Sequence, residues 1–172
     1  MIKSILLPLS EEPAVAMDFA FWLAQQNDGR IGGLALIDIK AFEIPVLGTP
    51  DGFIPSVVTP PAGENQALIE ELTALARQRI DAAAAACAAR EIPFAGEIRT
   101  GIPADLVARH AMAHDLVVMS RTGYSRTAGP EEKLDPLVAQ VIRRSIRPVL
   151  VAGAAFPAAP GIRHILAAYD GS

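Results

Sequence analysis

Cys87 is the only cysteine, so no internal disulfide can form. It stands in the Ala-rich run 82–89, with no Lys, Arg or His close enough in sequence to argue for an activated thiol, and is expected to be a small buried residue. The chain also lacks a basic surplus. Its net charge is -4, spread over ordinary mixed charges, which leaves no stripe for a phosphate backbone and no polybasic membrane patch, so no nucleic acid and no membrane is expected as a partner. No apolar run approaches the ~20 residues of a membrane span, and the short run Ile5 to Leu9 is too brief for a signal peptide, so a cytoplasmic location is expected. His110, His114 and His164 are scattered over different elements, without the spacing of a metal site, so no metal is expected. Walker, Gly-x-Ser-x-Gly and Ser-Gly-Gly phosphate-loop motifs are missing as well, so no catalytic residue is assigned and an enzyme is not expected.

The 172 residues, about half of them apolar, suffice for one well-packed domain and a short extension. Ile5 to Leu9 has the unbroken apolar character of a strand buried on both faces. Pro13 opens a helix with Ala16, Phe19, Ala20, Leu23 and Ala24 at helical spacing, ended by Asn27-Asp28-Gly29. A second strand spans Ile31 to Ile39. Between Lys40 and Gly63, five prolines and two glycines exclude a regular element, leaving a lid, a partner surface or a merely variable loop. A long helix over 64–90 presents Ile69, Leu72, Ala76, Ile80, Ala83 and Cys87 on one stripe.

Strands are further expected over 94–99, 116–119 and 149–152. Helices are expected after Pro103 and over 135–145, the latter with Leu134, Val138, Val141 and Ile142 on its inner side. This alternation means an α/β fold with a parallel sheet and helices on both faces. Residues 153–161 form a small-residue linker. From Ile162 to Asp170 the chain then repeats its opening without gaps, Ile162, Ile165 and Leu166 answering Ile2, Ile5 and Leu6. The expectation is a tandem parent: a domain over 1–152, a linker, and in 162–172 the first strand of a second copy.

In open α/β sheets ligands bind beyond the carboxyl ends of the strands, here near Leu9-Ser10, Asp38 and Met119-Ser120. The polar loop 120–129 precedes a helix whose start could cradle phosphate. Residues 1–152 resemble a universal stress protein domain through Ile5-Leu6-Leu7-Pro8, Leu36-Ile37-Asp38, the segment Asp115 to Arg121, and Arg147-Pro148-Val149-Leu150-Val151. The resemblance implies five parallel strands in the order 3-2-1-4-5, pairing through the last strand, and a stress-response role with or without ATP.

ATP-binding members of that family have an aspartate after the first strand and a motif of Gly, two residues, Gly, nine residues, then Gly with Ser or Thr. This chain has Ser10 for the aspartate and Ser120 for the first glycine. It retains Gly123, and counting back from Arg147 places Asp135-Pro136 where Gly-Ser belongs, with two extra residues in the spacing. The corresponding ATP-site positions, Pro8, Leu9, Ser10, Leu36, Asp38, Met119, Ser120, Arg121, Gly123, Asp135 and Pro136, are therefore expected to be vestigial. A carboxylate repels phosphate oxygens and proline lacks a backbone donor. The expectation is a regulatory or scaffolding domain with no cofactor, against the alternatives of an adenine nucleotide such as ATP held by an altered loop and of a nucleotide-dependent enzyme.

Arg121 and Arg126, helped by Ser125 and Thr127, are a candidate anion site. Tyr169-Asp170-Gly171-Ser172 restores the family's aspartate in the second copy. Expected partners are that second domain or a homodimer, and a protein at the Pro-rich 45–61 segment. A response-regulator receiver is excluded because Ile98-Arg99-Thr100 supplies no phosphoacceptor aspartate at the end of the third strand.

Overall fold

The computed structural model describes residues 1–11, 13–38, 62–124, 134–153 and 155–157. The elements run β1 (Ser4–Pro8), α1 (Ala14–Asn27), β2 (Arg30–Asp38), α2 (Ala62–Ala88), β3 (Phe94–Gly101), α3 (Pro103–Ala111), β4 (Leu116–Ser120), α4 (Pro136–Arg144) and β5 (Val149–Ala152). All five strands are parallel, in the order β3-β2-β1-β4-β5. The expected fold class and strand order are thus observed. The 45–61 segment, the 162–172 repeat, His164, Ser125, Arg126 and Thr127 lie outside the described residues.

β1 and β4 are buried along their whole length, as central strands covered on both faces must be. Side chains alternate across the sheet. Ile5 and Leu7 enter the core beneath α1 and α2 with Ala20, Phe21 and Ile31. Leu6 enters the opposite core beneath α3 and α4 with Leu34, Val107, Val117, Val138 and Val141. Shortening one of these large side chains to alanine is expected to cost about 2–5 kcal/mol.

Local chemistry sets the helix ends. Asp28 ends α1 in the left-handed region (φ 45°) and returns its N–H to the Ala24 carbonyl, a conformation that a short polar side chain tolerates. Cys87 is buried in the α2 stripe, and burial pushes its thiol up to about 11; Arg90, three residues on, pulls the other way but does not prevail.

Two stripes differ from expectation. Ile69 and Ile142 are exposed, at 42% and 47%, and Leu134 lies at the surface before α4, whereas Leu137 is buried. Asp135 stands outside the helix as its N-cap, and the inward face of α4 is Leu137, Val138 and Val141. β3 is also longer than expected: Thr100 and Gly101 are not a turn but pair with Ile37 and Asp38.

Candidate functional site

The strand order reverses between β1 and β4, which opens a crevice beyond their carboxyl ends where doubly wound sheets take ligands. Ser10 and Ser120 flank it, both buried, with the Ser10 hydroxyl donating to Ser120 Oγ at 3.3 Å. Tyr124 fills the space between the strands. Its hydroxyl accepts from the Ser120 N–H at 2.8 Å and donates to the Pro8 carbonyl at 3.2 Å, bridging the two strand ends. Burial pushes that hydroxyl up to about 12, outweighing the hydrogen bonds from Ser120 that pull it down.

Gly123 turns the chain so that Tyr124 points inward. Its φ of 93° lies where L side chains rarely go, and its carbonyl accepts from the Glu11 N–H at 2.9 Å. The glycine that matches the nucleotide motif therefore serves here to tie the β4–α4 loop to the β1–α1 loop.

The start of α4 is occupied by its own cap. Asp135 is fully buried, and one carboxylate oxygen accepts from the Leu137 N–H at 2.8 Å while the other accepts from the Tyr124 N–H at 3.0 Å. Pro136 has no N–H to offer. The positive end of the α4 dipole, where a phosphate would sit, thus holds an internal carboxylate. Displacing it would forfeit two charge-assisted hydrogen bonds at roughly 1.5–3 kcal/mol each.

Ser10, Ser120 and Asp135 join this cluster, with Pro8 contributing its carbonyl. Leu9, Leu36, Asp38, Gly123 and Pro136 line an open cavity of about 480 Å³ beside it. Met119 does not reach the site: it is buried in the core shared with α3 and α4. The Arg121 side chain is exposed, and only its carbonyl takes part, accepting from the Asp135 N–H at 2.9 Å. Sequence reasoning missed Tyr124. The available signal was an aromatic hydroxyl directly after a glycine, four residues past the end of a buried strand. It also missed Arg79 of α2, which reaches Glu11 at 3.4 Å on the cavity wall.

Among the described residues no group of His, Cys, Asp and Glu could hold a metal ion, and no helix is long and apolar enough to cross a membrane.

No curated protein matches the chain significantly. Solved structures similar to it include the hypothetical protein MJ0577, at 22% identity and a TM-score of 0.69, covering 88% of this chain and 96% of that one. Another is the universal stress protein UspA from Lactobacillus plantarum, at 20% identity and a TM-score of 0.67, covering 88% and 98%. A third is a universal stress protein family protein from Arabidopsis thaliana with AMP bound, at 15% identity and a TM-score of 0.55, covering 88% and 93%. Proteins of this fold have also been solved in complex with cAMP and with dAMP. At these identities the likeness shows the fold. The family model described as "Universal stress protein family" matches residues 1–153, the span that carries the sheet, its four helices and the self-capped crevice, and the chain belongs to that family.

Proposed function

We propose that this domain is a degenerate member of its family: its nucleotide seat is filled by its own side chains, and it acts in stress response by association, as a regulatory or scaffolding module without enzymatic turnover. One observation carries this reading, the buried Asp135 carboxylate on the Leu137 and Tyr124 N–H groups. A triphosphate would have to evict that carboxylate. Forfeiting about 3 kcal/mol or more of hydrogen bonding there lowers affinity by about a hundredfold or more, before any Coulomb repulsion from the displaced group.

The partner in this reading is a second domain of the same type, supplied by a tandem parent or by another copy of the chain, with the Pro-rich 45–61 segment as a docking surface for a further protein. Among the described residues β5 is an edge strand, and an edge strand's backbone groups invite a partner, which supports association. Its setting is the cytoplasm.

A second reading keeps an adenine nucleotide, its base in the open cavity and its phosphates on an altered loop. It is favoured by the 480 Å³ cavity beside the crevice and by the AMP-bound Arabidopsis relative of this fold. Isothermal titration with Mg-ATP separates the two. The degenerate reading expects no saturable heat at micromolar concentrations, and a clear saturable isotherm in that range would establish the second reading instead.

A further inference from the structure

The end of α4 departs from the burial pattern of the rest of the helix. Leu137, Val138 and Val141 face the core, whereas Ile142 is 47% exposed and Ile146, just past the helix, is 74% exposed. A local turn holds Ile146 in that position. Ser145 leaves the helix in an extended conformation, and its hydroxyl donates to the Arg147 carbonyl at 2.9 Å and accepts from the Arg147 N–H at 3.2 Å, with Ile146 at the tip between them. The Arg147 guanidinium donates to the Met112 carbonyl at 3.2 Å, which brings this turn against the end of α3, where Met112 is 60% exposed. Large apolar side chains left in water within a polar rim mark an interaction site, and a turn closed by its own hydrogen bonds presents one of them already ordered.

The rim is dominated by one sign of charge. Arg109, Arg143, Arg144 and Arg147 are all exposed on α3, α4 and the turn that follows. The carboxylates of the same stretches are engaged: Asp105 pairs with Arg144, and Asp115 accepts from the Lys3 and Ser4 N–H groups and lies in the field of Arg147. Among the described residues Arg109 and Arg143 form no ion pair. Four guanidiniums thus face two carboxylates, around apolar side chains that an ordinary solvated face would not carry.

We propose that this patch docks an acidic segment of a partner protein, one that carries apolar side chains among its carboxylates. Arginine clusters recognise acidic segments, and Ile142, Ile146 and Met112 supply the apolar contact. A surplus of two guanidiniums falls short of the roughly four to eight basic residues that hold an anionic membrane. The proposal deepens the reading of the domain as one that acts by association, giving the chemistry of a partner and a surface distinct from the β5 edge.

Fluorescence anisotropy on the full chain tests it with three labelled synthetic peptides: one of Glu and Leu, a second with Lys for every Glu, and a third with Ser for every Leu. The first is expected to saturate below about 100 µM, and the other two to bind at least about tenfold more weakly. Arg143→Glu and Ile146→Ser, both at exposed positions, should each weaken the first peptide by about fivefold or more, and raising salt from about 0.05 to 0.5 M should weaken it several-fold. Should Arg143→Glu lose its circular dichroism signal, Arg143→Gln replaces it, with a weakening of about threefold or more expected.

Equal affinity for the Glu and Lys peptides, or no effect of the folded variants, overturns the proposal. So does binding to phosphatidylserine vesicles that the same substitutions abolish, which would make the patch a membrane surface. Light scattering keeps this surface apart from association in general. A dimer that Arg143→Glu and Ile146→Ser dissociate makes a second copy the occupant and overturns the proposal; a dimer that survives both, with no peptide bound, removes this surface and leaves the association reading standing.

Discussion

β1 and β4 are clamped together at both ends of the crevice line, by different chemistry. At the amino end, the Asp115 carboxylate accepts from the Lys3 and Ser4 N–H groups at 2.8 and 2.9 Å. Ser4 Oγ lies 2.9 Å from His114 Nδ1 and accepts from Arg30 Nε at 3.2 Å, and the His114 ring covers Gly32, where a Cβ would come within 2.5 Å of it. At the carboxyl end, the bridge is the uncharged Tyr124 phenol, backed by the buried Asp135 carboxylate. The amino-end clamp sits where this fold holds no ligand and needs only to join strands. The carboxyl-end clamp joins the same strands across the place a ligand would use, so there a structural contact is also a functional decision.

Removing the central anchor of the carboxyl end has the largest expected effect. Asp135→Ala deletes the α4 cap and the bond to Tyr124 together, and should lower stability by about 2–4 kcal/mol. In urea melts this appears as a lower midpoint at unchanged slope.

Tyr124→Phe leaves the ring and removes the hydroxyl, for an expected loss of about 1–2 kcal/mol. It also carries a pH signature. The hydroxyl is held near 12 in the fold against an ordinary 10, so its contribution is complete below pH 10 and declines as pH rises towards 12. Urea melts across that range should show the decline in the parent protein and a flatter profile in the variant.

The amino end should respond to acid instead, with the smallest effect. Burial, with Arg30 and His110 nearby, holds His114 below its ordinary 6.5, so the fold prefers the neutral ring and loses stability as pH falls below that value. The N–H groups of Lys3 and Ser4 hold Asp115 below the usual carboxylate range, so its contribution is lost only at still lower pH. His114→Gln should flatten the slope of stability between pH 7 and 5 while leaving the alkaline limb unchanged. If both limbs flatten, the two clamps are coupled and the comparison fails.

The sheet was legible in the sequence because β1 and β4 are unbroken apolar runs, and only strands covered on both faces combine that pattern with such short length. Phase was harder to read. Counting α4 from Leu134 sets the wrong stripe, because Asp135 caps the helix and the inward positions begin at Leu137. Likewise Ile69 matches the periodicity of α2 and is nonetheless exposed, since a 27-residue helix runs roughly 40 Å and extends past the sheet that buries its later turns.

At the site, the mismatch of Asp135-Pro136 with the phosphate motif was visible once the family resemblance supplied that motif and Arg147-Pro148 fixed the count. Its partner was not, because a carboxylate's acceptance of the Tyr124 N–H depends on how the loop turns at Gly123, a backbone choice that composition does not encode. The cavity was equally hidden: Leu72 and Ile102 come from segments with no sequence relation, brought together only by the crossovers of the fold.

The most direct test of the closed seat is a crystal structure of the chain grown in saturating Mg-ATP. The account predicts the Tyr124 hydroxyl still within hydrogen-bonding distance of the Pro8 carbonyl and the Ser120 N–H, Asp135 on the Leu137 N–H, and no phosphate at the start of α4. A phosphate oxygen on the Leu137 N–H, with Asp135 turned away, would contradict it.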